Sequence, residues 1–175
     1  MLRRIFIAIA LIAGTLGPAS DVASQSREPQ AHFLPEAGNG PILQLLREAR
    51  SSVDLAAYLI TDYEIAEALA SIERRGVRVR VVLDEDQAMR NKYSQFSMLA
   101  KGGVRDVRLM PREAGIMVND FGIIDRRFLY TGSSFLHTSV KESSKFANYL
   151  ILPDARLVAR YQQEFERLFE RSKPR

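Results

Sequence analysis

Few side chains in this sequence could act on a substrate, and their types limit the chemistry. The chain contains no cysteine, which excludes a thiolate nucleophile, a disulfide and a thiolate metal site. Only two histidines are present, His32 and His137, so a histidine-rich metal site is disfavoured. His137 follows Ser133 by four residues and is a candidate nucleophile, although it also reads as an ordinary polar histidine of a loop. We therefore expect no metal and no other cofactor.

The charged residues give only weak evidence for a phosphate-binding or cation-binding function. Arg74, Arg75, Arg78 and Arg80 form a basic cluster that could follow a phosphate backbone. A helix end followed by a half-exposed strand explains the same pattern more simply. Asp84-Glu85-Asp86 could suggest a cation site, but three consecutive acids cannot all face one ion from a strand end, so a solvated turn is favoured. The net charge of +4 is compatible with polyanions and does not by itself indicate nucleic acid.

Residues 1–24 have the pattern of a signal peptide. Arg3 and Arg4 precede an apolar run from Ile5 to Leu16, which is shorter than the about 20 residues that a membrane span needs. Val22-Ala23-Ser24 then offers small residues for cleavage. An uncleaved N-terminal anchor is the alternative. Either way, we expect the following domain to lie outside the cytoplasm, in the periplasm or secreted.

The remaining sequence predicts one α/β domain over residues 31–172, with a mixed β-sheet flanked by helices. Strand, helix, glycine and strand follow one another up to residue 83, which is a βαβ unit and favours parallel pairing. Shorter strands come next, and an amphipathic helix begins at about Asp154. The predicted strands are 31–34, 53–60, 77–83, 104–110, 116–124, 128–131 and 148–152. The predicted helices are 41–51, one capped by Thr61 or Asp62, 87–101 and the final helix. In the helix at 87–101, the residues expected to face inward are Met89, Tyr93, Phe96 and Leu99.

One stretch of the sequence has a specific family pattern. The segments VDLAAYLITDYEIAEALASIERRGVRVRVVLDE, FGIIDRRFLYTGSSF, NYLIL and YQQEFERLF occur in that order. Together they resemble the phospholipase D-like superfamily, in particular its small bacterial single-motif nucleases. The motif of that family is His-x-Lys-x4-Asp followed by a Gly-Ser pair. Aligned through FGIIDRRFLYTGS, the motif positions hold Val118, Asp120 and Asp125, so only the aspartate is retained.

The resemblance implies a specific chemistry that this chain lacks the residues for. In such enzymes a histidine attacks phosphorus, a second histidine protonates the leaving oxygen, and lysines stabilise the phosphate. Single-motif members dimerise, and each subunit supplies one histidine. Gly132, Ser133 and Asn148 are retained as expected phosphate-binding positions, whereas Phe135 and Ala147 also depart from the pattern. No His-x-Lys sequence occurs anywhere in the chain, so no other alignment restores the motif.

Two hypotheses follow. The first is an exported, catalytically inactive homodimer that acts by binding nucleic acid, a phospholipid headgroup or a protein partner. The second is an active phosphodiesterase that hydrolyses nucleic acid or phospholipid, either through His137 or by pairing with an intact paralogue that supplies the missing histidine and lysine.

Overall fold

A single eight-stranded mixed sheet organises the molecule, in the order β1-β7-β6-β5-β2-β3-β4-β8. The computed structural model describes residues 28–133, 136 and 146–175. The strands are Gln30–Leu34 (β1), Ser52–Ala57 (β2), Arg78–Asp84 (β3), Asp106–Met110 (β4), Asp120–Ile124 (β5), Phe128–Gly132 (β6), Ala147–Leu152 (β7) and Lys173–Pro174 (β8). The helices are Gly40–Arg47 (α1), Tyr63–Arg74 (α2), Glu85–Arg90 (α3), Phe96–Lys101 (α4) and Ala155–Arg171 (α5). A short 3-10 turn covers Arg112–Ala114.

The strand directions give the sheet two distinct ends. β2, β3 and β4 are parallel neighbours, and all other neighbouring strands are antiparallel. Asp120 at the start of β5 pairs with Ala57 at the end of β2. The carboxyl ends of β2, β3, β4 and β6 therefore meet the amino ends of β5 and β7. We call this end of the sheet the motif end, because Val118 and Asp120 lie there.

Helices cover both faces of the sheet, as predicted, because each face carries its own apolar surface. One core lies between the sheet and the helices α1, α2 and α4, with Leu55, Leu69 and Val81 among its members. A second core lies under α5 and contains Val82, Phe121, Ile123, Phe165 and Leu168. β2 and β3 are buried along almost their whole length, as is typical of parallel strands covered on both faces.

The second core includes a buried ion pair that joins α5 to the sheet. Arg80 Nε and Nη2 donate to Asp54 at 2.7 and 2.8 Å, and Nη1 and Nη2 donate to Glu166 at 2.9 and 2.7 Å. The guanidinium carbon lies 4.8 and 4.9 Å from the rings of Phe165 and Phe169. Burial lowers the pKa of Arg80, but its hydrogen bonds to Asp54 and Glu166 outweigh burial and raise it. Arg80 is thus a buried structural residue, and the predicted basic cluster loses one of its four members.

Two other predictions were wrong at the level of elements. Residues 87–101 form two short helices, α3 and α4, with Met89 and Tyr93 exposed rather than inward. Residues 116–119 precede β5 and are not part of the strand. Lys173–Pro174, for which no strand was predicted, form the two-residue strand β8, which pairs with β4.

No helix within the described ranges is both long enough and apolar enough to cross a membrane. The predicted signal peptide, residues 1–24, lies outside those ranges, and its role stays a prediction.

Candidate functional site

The three residues at the motif positions lie in very different surroundings. Val118 precedes β5 and is 71% exposed, so its side chain has no packing role in the described part of the chain. Asp120 opens β5 and is only 9% exposed. Asp125 follows β5 and lies at the opposite end of the sheet, because the strand carries the chain across it. Only the first two positions can therefore face a ligand at the motif end.

The Asp120 carboxylate is turned into the sheet. Its Oδ1 accepts a hydrogen bond from the backbone N–H of Tyr58, just beyond β2, at 3.3 Å. The hydroxyl of Thr131 donates to the Asp120 carbonyl at 3.4 Å. The pKa of Tyr130 is raised well above its usual value, first by burial and then by the negative charge of Asp120. The site thus holds a buried carboxylate between three neighbouring strands.

Asp125 is bound by the backbone of the loop before β2. One of its oxygens accepts from the N–H of Ser51 at 2.7 Å and of Ser52 at 3.0 Å, and the other accepts from Arg50 at 3.0 Å. The Ser51 hydroxyl adds a fourth contact at 2.9 Å. Burial raises the pKa of Asp125, but these hydrogen bonds outweigh burial and hold it below its usual value. Asp125 therefore ties the β5–β6 hairpin to the loop before β2 and takes no direct part in chemistry at the motif end.

The Gly-Ser pair holds β6 against β7. A Cβ on Gly132 would lie 2.3 Å from the Asn148 carbonyl oxygen and 2.6 Å from the Tyr149 Cα, so only glycine fits. The Ser133 hydroxyl donates to the Asn148 carbonyl at 3.2 Å and accepts from the Asn148 N–H at 3.0 Å. Ser133 and Asn148 are both exposed at the motif end. Their predicted contact with phosphate stays a prediction.

The three consecutive acids at the end of β3, Asp84, Glu85 and Asp86, each bind different partners. Asp84 is buried; its Oδ1 caps α3 through Gln87 N–H, and its Oδ2 accepts from Met117 N–H, each at 3.1 Å. Glu85 accepts from the backbone N–H of Arg112, whose guanidinium binds Asp86. Asp84 is therefore buried, whereas the sequence predicted a solvated turn. Its bond to Met117 holds the segment that carries Val118. Among the described residues, no cluster of acids or histidines could hold a metal ion.

The remaining candidates are separated from this centre. His137 and Phe135 lie outside the described residues. The carbonyl of Leu136, the residue before His137, accepts from the N–H groups of Thr61 and Asp62 at 2.9 and 3.1 Å, so the chain passes over the start of α2 at that point. His32 stacks on Tyr149 with ring centroids 4.8 Å apart.

A small pocket opens beside the motif positions, and sequence reasoning missed it. Its volume is about 150 Å³, and its lining includes Ile116, Asn119, Arg167 and Arg171. Arg167 is paired with Glu164 through Nη2 at 2.5 Å. The pocket joins α5 to the segment before β5, two elements far apart in the sequence, so no local pattern could have revealed it.

This arrangement of sheet, helices and motif strand is that of the phospholipase D fold. NucT from Helicobacter pylori matches with a TM-score of 0.76 and 23% identity, covering 85% of this chain and 99% of that one. Nuc from Salmonella typhimurium, a phospholipase D family member, matches with a TM-score of 0.75 and 22% identity, covering 85% and 97%.

The sequence comparisons agree. A family model described as "Cardiolipin synthase, PLD-like domain" matches residues 42–169, and the chain therefore belongs to the phospholipase D-like family. Human mitochondrial cardiolipin hydrolase is 36% identical over 133 residues, which is 76% of this chain and 51% of that protein. A phospholipase D of Rickettsia felis is 32% identical over 134 residues, 76% of this chain and 65% of that protein. The chain thus spans about half to two thirds of the length of these two relatives.

Proposed function

We propose that this protein is a non-catalytic member of the phospholipase D-like family, exported from the cytoplasm, that acts by binding as a homodimer. The observation that carries the proposal is the pair Val118 and Asp120 at the motif end, where the family places its histidine and lysine. Valine has no lone pair to attack phosphorus and no proton to give a leaving oxygen. In a symmetric dimer the same substitution occurs twice, so neither subunit supplies the nucleophile or the acid.

The carboxylate of Asp120 adds an electrostatic obstacle. At about 4 Å and an effective dielectric near 20, a contact between two like charges costs roughly 4 kcal/mol, whereas a lysine would gain a similar amount. The buried position of Asp120 beside Tyr58 and Tyr130 makes this charge a built feature of the strand end. A phosphate held by Ser133 and Asn148 would have to bind outside this carboxylate.

The surface around the motif end supports the homodimer. Seven large apolar side chains are more than half exposed in the described part of the chain, and all seven lie around this end: Phe33, Tyr63, Met89, Tyr93, Ile116, Val118 and Phe146. They come from strand β1, from helices α2 and α3, and from the segments before α4, β5 and β7. We call these seven side chains the apolar rim. Exposed apolar side chains gathered at one end of a molecule are typical of a protein interface. A second copy that docks there would place the two motif ends face to face. We infer that nucleic acid, a phospholipid headgroup or a protein partner binds at the joined ends.

A phosphodiesterase assay tests the proposal. The natural chain, tested on a chromogenic phosphate diester and on DNA, is expected to show no turnover. Val118→His combined with Asp120→Lys restores the nucleophile and its cation, and we expect weak turnover from it. Val118→Gln combined with Asp120→Lys is the matched control, because it supplies the cation without an imidazole, and it is expected to stay inactive.

Brisk turnover by the purified natural chain would contradict the proposal. If that turnover disappears in His137→Ala, His137 is the nucleophile and the protein is a phosphodiesterase by a different route. If turnover appears only after an intact relative is mixed with the natural chain, the active form is a hetero-oligomer with a paralogue.

A further inference from the structure

Opposite the motif end, five exposed arginines share one surface, which we call the basic pole. It consists of Arg47 and Arg50 in the connection from α1 to β2, Arg75 after α2, and Arg126 and Arg127 in the β5–β6 turn. Backbone and side-chain hydrogen bonds hold these three loops together. Arg75 Nη2 donates to the Arg47 carbonyl at 3.0 Å, and Arg50 N–H donates to the Asp125 carboxylate. The clustering is therefore part of the fold.

Few carboxylates balance this charge within the three loops. Asp125 already accepts from several backbone N–H groups, and Glu48 is the other acid. Glu73, near the end of α2, is buried and paired with Arg105 at 2.7 Å. The basic pole thus presents a concentration of guanidinium groups, which bind phosphate oxygens through paired hydrogen bonds.

Helix capping explains only part of the basic pole. Arg47 lies in the last turn of α1, and Arg75 follows the last turn of α2, where a cation stabilises the helix end. Arg50, Arg126 and Arg127 belong to no helix. A helix end therefore does not explain these three arginines, although Arg127 lies over the ring of Phe128, with its guanidinium carbon 5.6 Å from the ring centroid.

Arg126 occupies a backbone position that favours glycine. Asp125 and Arg126 both have φ of 53°, in the left-handed region. A tight hairpin turn with positive φ at both central residues usually carries Asn-Gly or Asp-Gly, because glycine has no side chain to strain. An arginine there costs stability, so its presence indicates that the side chain itself is useful.

We propose that the basic pole docks the domain on an anionic phospholipid bilayer. β1 begins at this end of the sheet, because Gln30 pairs with Ile151 near the end of β7. The apolar run that ends at Leu16 is therefore separated from the basic pole by residues 17–29, which reach at most about 45 Å when extended. If the apolar run stays attached as an anchor, this length keeps the basic pole within reach of the membrane surface.

The composition of the basic pole favours lipid over nucleic acid. Single-stranded nucleic acid is usually held by exposed aromatic rings on which bases stack. The strongly exposed aromatic side chains of the described chain are Phe33, Tyr63, Tyr93 and Phe146, all at the motif end. The aromatic ring next to the β5–β6 turn, Phe128, is partly buried under the guanidinium of Arg127. The basic pole thus offers contacts to phosphates but no strongly exposed ring on which a base could stack.

Vesicle partitioning of the full chain tests the proposal. Phosphatidylcholine vesicles with and without phosphatidylglycerol are compared for the natural chain and for the triple variant Arg50→Gln, Arg126→Gly, Arg127→Gln. A basic residue near an anionic surface strengthens binding about fivefold, so the triple variant should lose about 100-fold in its preference for anionic vesicles. The apolar N-terminal run is present in both proteins, so the ratio between the two vesicle types reports on the basic pole.

The control variant removes the same charge elsewhere, with Arg90→Gln, Lys92→Gln and Arg171→Gln at exposed positions toward the motif end. It should lose much less of that preference. Arg126→Gly alone should fold with an unchanged or higher Tm, because glycine accepts the turn without strain, and should still lose about fivefold in the preference.

Three outcomes overturn the proposal. The first is an equal loss in both triple variants. The second is a natural chain that does not distinguish anionic from neutral vesicles. The third is a basic-pole variant that keeps its preference for anionic vesicles but loses affinity for a DNA duplex, which would assign this surface to nucleic acid.

Discussion

At the scale of single residues, the family motif separates into two functions. Val118 and Asp120 lie at the end where a ligand would bind, whereas Asp125 lies at the far end and accepts hydrogen bonds from a loop. Asp125, the retained aspartate, has a structural role. Its retention therefore supports the fold and gives no support to an activity.

Replacing Asp125 by asparagine should destabilise the protein in a pH-dependent way. A hydrogen bond to a charged group is worth about 1.5–3 kcal/mol, and this carboxylate accepts several. The folded state lowers the pKa of Asp125, so its contribution is present above the unfolded pKa of about 4 and is lost as the pH falls through the folded value. Denaturant unfolding should give a difference of about 1.5–3 kcal/mol between the natural chain and Asp125→Asn at pH 7, which shrinks below pH about 4. A difference that does not change with pH would show that the charge is not what stabilises the loop.

At the scale of elements, helix α5 covers the face of the sheet that carries the second core. Residues of α5 contact the sheet through an ion pair in which Asp54 is only 1% exposed and Arg80 is largely buried. Glu166 on α5 binds the same guanidinium. The helix also lines the pocket beside Val118 through Arg167 and Arg171. Changes in the docking of α5 should therefore reach the candidate site.

Removing only Arg80 from the Arg80–Asp54 ion pair should lower the free energy of unfolding more than removing both side chains. Arg80→Leu leaves Asp54 buried without its partner, which typically costs about 3–5 kcal/mol. The double variant Arg80→Leu with Asp54→Leu should recover at least about 1 kcal/mol of that loss, since the only carboxylate then left without its guanidinium partner is Glu166, which is partly exposed. Urea unfolding of both variants measures the difference. A double variant less stable than Arg80→Leu would show that packing, rather than charge, dominates this contact.

At the scale of the whole molecule, the two ends of the sheet have opposite character. Exposed apolar side chains surround the motif end, with Ile116 and Phe146 at 78% and 89% exposure, and arginines cover the other end. In the proposed homodimer the apolar ends meet, and the basic poles face outward on both subunits. Binding to another copy and binding to a membrane would then use separate surfaces.

The homodimer should depend on the apolar rim. Ile116→Glu places a charge in the proposed interface and should convert the dimer to a monomer, as measured by sedimentation velocity over a range of concentrations. Ala159→Glu adds the same charge at an exposed position of α5 and should leave the dimer intact. A natural chain that is monomeric at every concentration would contradict the proposed assembly.

Most of the fold could be predicted from the sequence, and the helix prediction that failed did so because of a contact between residues distant in the sequence. The βαβ unit, the family and the helices on both faces were predicted and are confirmed. The helix predicted over 87–101 broke at residues 91–95, where the Gln95 N–H donates to the carbonyl of Ile60 at 2.8 Å. That bond joins residues distant in sequence, so apolar spacing alone could not reveal it. Met89 and Tyr93 consequently point to solvent.

The sequence by itself determined the family, the alternation of strands and helices, and the loss of histidine and lysine at the motif, because these depend on residue identity and local spacing. Only the tertiary structure decided that Arg80 is buried, that Asp84 holds the segment before β5, and that the five arginines of the basic pole share one surface. Those relations join residues brought together by strand order, and strand order depends on how the whole chain buries its apolar faces.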